Sequence, residues 1–246
     1  MEHIQLEHRD AVAVMTLVDR ERRNAMTATM VDEIVATFDQ LEAGGTTAAV
    51  VITGEPPAFC SGADVSSLGA LARAAHDDER RSVTSIYEGF LRVLRSPLPT
   101  IAAVNGPAVG AGMNLALACD VRVAAESARF DARFVKIGLH PGGGHLWMLE
   151  RAVGPQAAAA IALFGQAVDG RRATEIGLAW SCHPVGEYLD AAVALAAGAA
   201  KAPVPLLGRV KQTLRRAPWQ PDFETAVADE VTQQAWSLGQ GWFGAR

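Results

Sequence analysis

Short apolar runs alternate with amphipathic segments along most of this chain. Residues 11–18, 48–53 and 100–104 are apolar and rich in β-branched side chains, which predicts buried strands. Residues 28–41 carry apolar side chains at helical spacing behind Thr27, a residue type that favours the position before a helix. The recurring order of strand, strand and helix predicts a mixed α/β fold. Further elements are predicted as helices over 83–95, 113–119, 155–164, 191–201 and 204–216, and as a strand over 121–124.

Composition and charge exclude several classes of protein. Half of the 246 residues are hydrophobic and the net charge is −5, which fits a globular protein without a basic field for nucleic acid. No apolar run is long enough to span a bilayer, and the first residues lack the apolar core of a secretion signal. The three cysteines are far apart and show no metal-ligand spacing, so we expect reduced thiols, no metal and a cytoplasmic location.

Two glycine-spaced segments each connect a predicted strand to a helix. Residues 59–65 read Phe-Cys-Ser-Gly-Ala-Asp-Val, and residues 105–114 read Asn-Gly-Pro-Ala-Val-Gly-Ala-Gly-Met-Asn. Such a turn exposes backbone N–H groups where the helix dipole adds partial positive charge. Each segment alone is as well explained by a structural turn, and neither has the spacing of a dinucleotide or phosphate-binding loop. Two such turns aimed at one point form an oxyanion hole for a carbonyl group.

Together these segments resemble the crotonase superfamily, the enoyl-CoA hydratase/isomerase family. The resemblance covers residues 4–216 and implies a crotonase-like ββα spiral core over residues 1–186, with a C-terminal helical oligomerisation region over residues 187–246. It also implies a homotrimer or a hexamer built from two trimers. The expected ligand is an acyl-CoA thioester, so that coenzyme A is part of the substrate and no separate cofactor is needed. Four further segments carry the resemblance: 21–26, 130–144, 173–179 and 210–211.

The resemblance implies roles for individual residues. The backbone N–H groups of Ala63 and Ala111 would hold the thioester carbonyl, and Ala111 stands where the family usually has glycine. Lys211 is expected to contact coenzyme A from a neighbouring subunit. For Asp64, capping of the following helix is an alternative role. The remaining coenzyme A contacts are expected at Arg22, Arg23, Ala25, Ala63, Asp64, Val65, Ser66 and Gly142.

The chain departs from the family at the positions of the acid/base pair. Hydratases of this family use two glutamates, which hold a water and move a proton at the α-carbon. Three residues beyond Ala111 the chain has Asn114, and four residues before Gly138 it has Phe134. Neither side chain acts as a general base near neutral pH, so weak hydratase activity is expected. Phe134 also argues against the family's single-glutamate isomerases, which use that second position.

His140 is the candidate replacement base, because histidine titrates near neutral pH and the loop 138–144 lines the acyl pocket in this family. The alternative for His140 is a loop histidine bonded to a backbone carbonyl. Asp131 is expected to be solvated or paired with Arg133. His145 is expected to pack or to cap the following helix.

Three functions stay open at this point. The first is an acyl-CoA enzyme with its chemistry moved to His140, Asp131 or a water held by Asn114, such as a decarboxylase or a thioester hydrolase. The second is a non-catalytic acyl-CoA binder or regulator. The third is a scaffold that has lost ligand binding, and the intact glycine-spaced turns count against it. Tyr87 lies on a predicted helix that can flank the acyl tunnel in this family, but we expect a structural role for it rather than a role in the site. Trp147 is expected to pack against the core rather than to stack on a ligand.

Overall fold

Two sheets make up the strand layers of the protein. The computed structural model describes residues 1–64 and 76–243. The predicted contacts at Val65 and Ser66 lie outside the described residues. Among the described residues the strands are β1 (Ile4–Arg9), β2 (Val12–Leu17), β3 (Ala49–Gly54), β4 (Thr100–Val104), β5 (Pro107–Val109), β6 (Val121–Ala125), β7 (Arg129–Asp131), β8 (Val168–Asp169) and β9 (Ser181–His183).

The larger sheet has the strand order β1-β2-β3-β4-β6-β9. Strands β1 and β2 pair antiparallel, and every later pair in this sheet is parallel. The smaller sheet has the order β5-β7-β8, with β5 parallel to β7. Its register places Val109 opposite Asp131. The second glycine-spaced turn therefore begins beside the segment that follows Asp131.

Helices follow most of the strands. In helix α1 the hydroxyl oxygen of Thr27 accepts a hydrogen bond of 3.1 Å from the backbone N–H of Met30, which confirms the predicted cap. Helix α4 contains a break at Gly154, whose φ is 74°. The α-helices of the described residues are α1 (Ala28–Gly44), α2 (His76–Arg95), α3 (Ala111–Ala118), α4 (His145–Ala162), α5 (Gly170–Glu175), α6 (Tyr188–Ala197), α7 (Val204–Arg216) and α8 (Phe223–Leu238).

The larger sheet is covered on both faces. Strand β3 is buried along its whole length, and alternate side chains point to opposite faces. Val50 and Ile52 join the core that contains the apolar faces of α1 to α4. Val51 joins a second cluster that contains Ala192 and Ala196 of α6. This double burial explains why the predicted strands are nearly continuous apolar runs.

The sequence predictions and the structure agree for most of the long elements. The mixed α/β fold is confirmed, as are the strands near 11–18, 48–53, 100–104 and 121–124. Strand β1, the short elements β5, β7, β8, β9 and α5 and the exposed helix α8 were not predicted. Strands of two or three residues carry too few side chains to show a period of two. The division at residue 186 stays a prediction, and α6, directly after it, packs on the larger sheet.

The expectation that Trp147 packs against the core is wrong. Its side chain is 46% exposed and its ring stacks on that of Trp219 at a centroid distance of 5.9 Å. The guanidinium carbon of Arg151 lies 4.1 Å from the Trp147 ring centroid, a cation–π contact. Trp219 belongs to a distant part of the sequence, so the local pattern around residue 147 gave no sign of this pairing.

No single helix in the described part of the chain is long and apolar enough to cross a membrane. One bent pair, Tyr188–Lys201 with Val204–Trp219, passes the length and composition test only when taken together, with a bend of 108°.

Candidate active site

The two glycine-spaced turns pack directly against each other. The backbone N–H of Cys60 donates to the Pro107 carbonyl at 3.1 Å, and the N–H of Val109 donates to the Cys60 carbonyl at 3.0 Å. Gly62 has a φ of 106°, a left-handed conformation that favours glycine, and any side chain there would press on the Val109 carbonyl. A methyl group at Gly112 would overlap the Cys60 carbonyl oxygen. The glycines therefore let the two turns approach backbone to backbone.

This approach brings two backbone donors to one pocket. Ala63 and Ala111 both line a pocket of about 300 Å³. Ala111 is the first residue of helix α3, and Gly110 before it offers no side-chain cap. Within the described residues, no hydrogen bond takes up the N–H of Ala63 or of Ala111. Unpaired donors on the wall of an apolar pocket suit a carbonyl oxygen that gains negative charge.

The loop 21–26 is anchored to the first turn by Asn24. Its side chain is fully buried, and its amide nitrogen donates to the carbonyls of Glu55 and Ala58, each at 2.8 Å. Its side-chain oxygen accepts from the backbone N–H of Asp19 at 2.9 Å. The N–H of Met26 in turn donates to the carbonyl of Gly62 at 2.8 Å. These bonds fix the loop beside the pocket without using its basic side chains.

The predicted coenzyme A residues on this loop differ in exposure. Arg22 is 56% exposed and forms an ion pair of 3.3 Å with Asp19. Arg23 is exposed and has a φ of 52°, whereas Ala25 is buried. Asp64 follows the first turn and is partly exposed. Two arginines at the surface beside the pocket suit a phosphate-bearing ligand, and each of these ligand contacts stays a prediction.

Asn114 and Phe134 both lie at the pocket, where the family resemblance implied that they would stand. Asn114 is 1% exposed, and its amide nitrogen donates to the carbonyl of Gly142 at 3.0 Å. Phe134 is half-buried at the start of a short 3-10 helix, Phe134–Ile137. Among the described residues that line the pocket there is no aspartate or glutamate. The described wall therefore offers amide and apolar groups where a carboxylate pair would be needed for proton transfer.

Behind these two residues lies His145, in the first turn of α4. Its side chain is 1% exposed, and its Nδ1 lies 2.6 Å from the Oδ1 of Asn114. The rings of His145 and Phe134 meet edge to face with centroids 5.1 Å apart. Burial lowers the pKa of His145 from 6.5 to about 4, so the imidazole is neutral at pH 7. His145 packs, as expected, and it also binds a residue of the pocket wall.

His140 lines the mouth of the pocket and is exposed. Its Nδ1 lies 2.7 Å from the carbonyl oxygen of Pro141, which is the alternative that the sequence left open for it. A histidine with Nδ1–H bonded to a carbonyl keeps Nε2 as its unprotonated nitrogen. His140 thus both contacts a backbone carbonyl and lines the pocket. A catalytic role for His140 stays a prediction.

Asp131 is paired with Arg133, as expected, but it is buried rather than solvated. Its carboxylate lies 3.0 Å from the Arg133 guanidinium and 3.3 Å from the Lys136 ammonium group. Burial raises the pKa of Asp131, but hydrogen bonds from Arg133 and Lys136 outweigh burial and leave the pKa below its usual value. A carboxylate held by two cations is a poor general base, so Asp131 is better explained as a structural ion pair.

Tyr87 lines the pocket, although the sequence favoured a structural role for it, and it stands against Gly142 and Gly143. Burial raises the pKa of its hydroxyl, which is therefore protonated near neutral pH. Gly142 is also the residue whose carbonyl accepts from Asn114. Its predicted contact with coenzyme A stays a prediction, and its observed contacts tie the pocket wall to helix α2.

The comparisons with known proteins agree with this geometry. Residues 7–235 match the model of the family described as "Enoyl-CoA hydratase/isomerase". The chain is 46% identical over 240 residues to "Probable enoyl-CoA hydratase EchA14" of Mycobacterium tuberculosis strain H37Rv, an alignment that spans 96% of this chain and 92% of the relative. The chain belongs to the enoyl-CoA hydratase/isomerase family. The crotonase resemblance is thereby confirmed.

Other members of the enoyl-CoA hydratase/isomerase family show how varied its chemistry is. The chain is 34% identical over 218 residues to 1,2-epoxyphenylacetyl-CoA isomerase of Escherichia coli K12, which spans 88% of this chain and 83% of the relative. Among solved structures it matches "a putative enoyl-CoA hydratase from Thermobifida fusca YX in complex with acetoacetyl-CoA". That match has a TM-score of 0.87 at 30% identity and covers 97% of this chain and 96% of the other.

Lys211, predicted to bind coenzyme A, is buried in this family member. Its ammonium group lies 2.6 Å from the carboxylate of Asp120 and also donates to the Leu98 carbonyl. Asp120 further accepts from the N–H and hydroxyl of Thr100, at 2.8 and 3.0 Å, and pairs with Arg215 at 3.2 Å. Burial lowers the pKa of Lys211, and the Asp120 carboxylate opposes that shift. In this conformation the ammonium group joins α7 to the segments that precede β4 and β6 and is not exposed to a ligand.

Two residues near the site were not assigned their roles by the sequence. Asn24 anchors the loop 21–26, and His145 binds Asn114 across a separation of 31 residues. In the sequence Asn24 lies between charged and apolar residues. That position fits a buried asparagine that anchors a loop as well as an exposed turn residue. Within the described residues no group of three or more histidine, cysteine, aspartate or glutamate side chains is placed to hold a metal ion.

Proposed function

We propose that this member of the hydratase/isomerase family binds an acyl-CoA thioester with its carbonyl oxygen between the N–H groups of Ala63 and Ala111. The observation that carries the proposal is that these two N–H groups lie on the pocket wall and have no hydrogen-bond partner among the described residues. The acetoacetyl-CoA complex of the Thermobifida fusca relative supports a coenzyme A ester as the ligand. The exposed guanidinium groups of Arg22 and Arg23 suit the phosphates of that ligand.

Ordinary hydratase turnover is proposed to be weak. Asn114 and Phe134 stand at the pocket wall where the acid/base glutamates are expected, and the nearby carboxylate of Asp131 is occupied by two cations. The alternative within the same proposal is a non-catalytic acyl-CoA binder or regulator. Both versions require thioester binding, and only the first requires turnover.

Binding is tested by calorimetry with butyryl-CoA and with S-butyl-CoA, a thioether that lacks the carbonyl oxygen. We expect the thioester to bind about tenfold more tightly than the thioether. A hydrogen bond in a buried site contributes about 1 kcal/mol net, and the thioester carbonyl would accept from two donors. Ala111→Pro removes one donor at the first position of a helix, where proline is tolerated. That change should reduce the thioester preference to about threefold.

Ala111→Gly keeps the N–H and is the matched control, with the wild-type preference expected. Equal affinity of the wild-type protein for thioester and thioether would refute the proposed carbonyl site. A lack of binding to either ligand would refute coenzyme A ester binding altogether. The wild-type comparison stands even if the proline variant does not fold.

A second candidate is a different acyl-CoA reaction, such as decarboxylation or thioester hydrolysis, with His140 as the base. It is favoured by the place of His140 at the pocket and by the contact of its Nδ1 with the Pro141 carbonyl, because in the neutral imidazole a proton on Nδ1 makes Nε2 the acceptor. If such a reaction is found, His140→Ala should slow it at least tenfold because general base catalysis contributes about 10²–10⁴ in rate. An unchanged rate in His140→Ala removes His140 as the base, and His140→Gln controls for the loss of packing.

We further propose a homo-oligomeric assembly and a cytoplasmic location. A homotrimer or a hexamer is supported by large apolar side chains that are exposed on the C-terminal helices, among them Leu214 at 69% and Phe223 at 77%. A cytoplasmic location is supported by Cys60, Cys119 and Cys182, which are all unpaired.

A further inference from the structure

The hydrogen bonds around Asn114 fix which way its carboxamide faces. The Gly142 carbonyl can only accept, so the atom of Asn114 that lies 3.0 Å from it must be the amide nitrogen. The side-chain oxygen of Asn114 then faces His145 and needs a donor. His145 must therefore carry its proton on Nδ1, which leaves Nε2 without a proton. In the described part of the chain this Nε2 is buried and has no hydrogen-bond partner.

The two sides of the carboxamide meet different surroundings. Its nitrogen side faces Gly142, a residue that lines the pocket, and its oxygen side faces His145, which is 1% exposed. One N–H of the amide is used by Gly142, and among the described residues no hydrogen bond uses the other. The side-chain oxygen of Asn114 is thus occupied by buried His145, while one amide N–H remains available to a ligand in the pocket.

We propose that His145 is a positioning residue that holds the Asn114 carboxamide with its N–H side toward the pocket, and that the pocket thereby selects acyl thioesters with an oxygen acceptor on C3. The second clause rests on the proposed function, since it assumes that the thioester carbonyl lies near Ala111. Asn114 is one helical turn beyond Ala111 on the same face of α3, and C3 is two bonds from the thioester carbon.

The selection follows from hydrogen-bond balance. A hydroxyl or oxo group on C3 accepts the free N–H of Asn114, whereas a saturated chain leaves that N–H without a partner when water is expelled. A buried polar group without a partner costs more than a formed hydrogen bond gains. A neutral His145 also keeps the site free of charge, so that the apolar face of Phe134 can pack against the same acyl chain. In this arrangement Asn114 and His145 recognise a ligand and transfer no proton.

The test compares the affinity of the protein for butyryl-CoA with that for each enantiomer of 3-hydroxybutyryl-CoA, by calorimetry at pH 7. We expect one enantiomer to bind the wild-type protein at least fivefold more tightly than butyryl-CoA. Asn114→Leu should reverse that preference. His145→Leu should bring the ratio closer to one, because only the bond to the Gly142 carbonyl then orients the carboxamide and its oxygen has lost its donor. His145→Asn should restore the preference, since its amide nitrogen can take the place of Nδ1–H.

Each outcome decides the matter. If wild-type protein binds butyryl-CoA but neither enantiomer more tightly, the selection is refuted and the proposed function stands. If it binds no acyl-CoA at all, the proposed function fails and this inference with it. A preference that survives Asn114→Leu refutes the assignment to the carboxamide. Equal ratios in His145→Leu and in the wild type refute the positioning role, and His145→Asn separates that role from a general loss of packing.

Discussion

Hydration of crotonyl-CoA by this protein is expected to be at least about 100-fold slower than hydration by a family member with both glutamates. General acid and base groups contribute about 10²–10⁴ in rate, and the described pocket wall presents Asn114 and Phe134 in their place. The proposed carbonyl site would by itself still polarise the enone, so a residual rate is expected rather than none. The measurement is the loss of enone absorbance under saturating crotonyl-CoA, with a two-glutamate hydratase assayed beside it.

Butyryl-CoA binding in the same sample is the control for an inactive preparation. If the ester binds and turnover is slow, the loss of the carboxylate pair is the cause. Turnover within tenfold of the reference hydratase would contradict the prediction and would mean that another group supplies the proton transfer. His140→Ala then identifies whether that group is His140.

The local sequence was sufficient to predict the two turns at the centre of the site. Gly62 and Gly112 are needed because each lies against a carbonyl of the other turn. The requirement for glycine at these positions is visible within a few residues of sequence. The turns around Ala63 and Ala111 could therefore be predicted without knowing the rest of the fold. The same holds for α1, where Thr27 and the apolar spacing after it define the start of the helix.

Contacts between distant segments were not predictable in this way. His145 binds Asn114, and Lys211 is buried against Asp120, because the fold brings together helices that are remote in sequence. For both residues the sequence showed only a titratable side chain on a helix, which fits an exposed site as well as a buried one. Trp147 was misplaced for the same reason, since its partner Trp219 lies beyond three further α-helices, α5 to α7.

Asn114 and Phe134, which stand where the family has its acid/base glutamates, both contact His145 and so form one arrangement. A glutamate at position 114 would place a negative charge beside a buried imidazole and raise the pKa of that imidazole. Asparagine keeps the hydrogen bond to His145 without the charge, and Phe134 closes the other side of the ring. The site is therefore consistent with a neutral wall that holds an acyl chain.

A buried neutral histidine makes the stability of the protein depend on pH. In the unfolded chain His145 takes up a proton near pH 6.5, but in the folded protein only near pH 4. Its contribution to stability is thus complete above about pH 6.5 and is lost as the pH falls from 6.5 toward 4. The lowered pKa corresponds to about 3 kcal/mol in total, of which about 2–3 kcal/mol should be lost between pH 7 and pH 4.5.

The matched measurement is urea unfolding of the wild-type protein and of His145→Asn at both pH values. Asp131 and other carboxylates with a lowered pKa also lose stability in acid, but they do so equally in both proteins. The difference in unfolding free energy between the two proteins should therefore shrink by about 2–3 kcal/mol on acidification, because asparagine takes up no proton. A difference that stays constant with pH would mean that His145 titrates in the folded protein as it does in the unfolded chain.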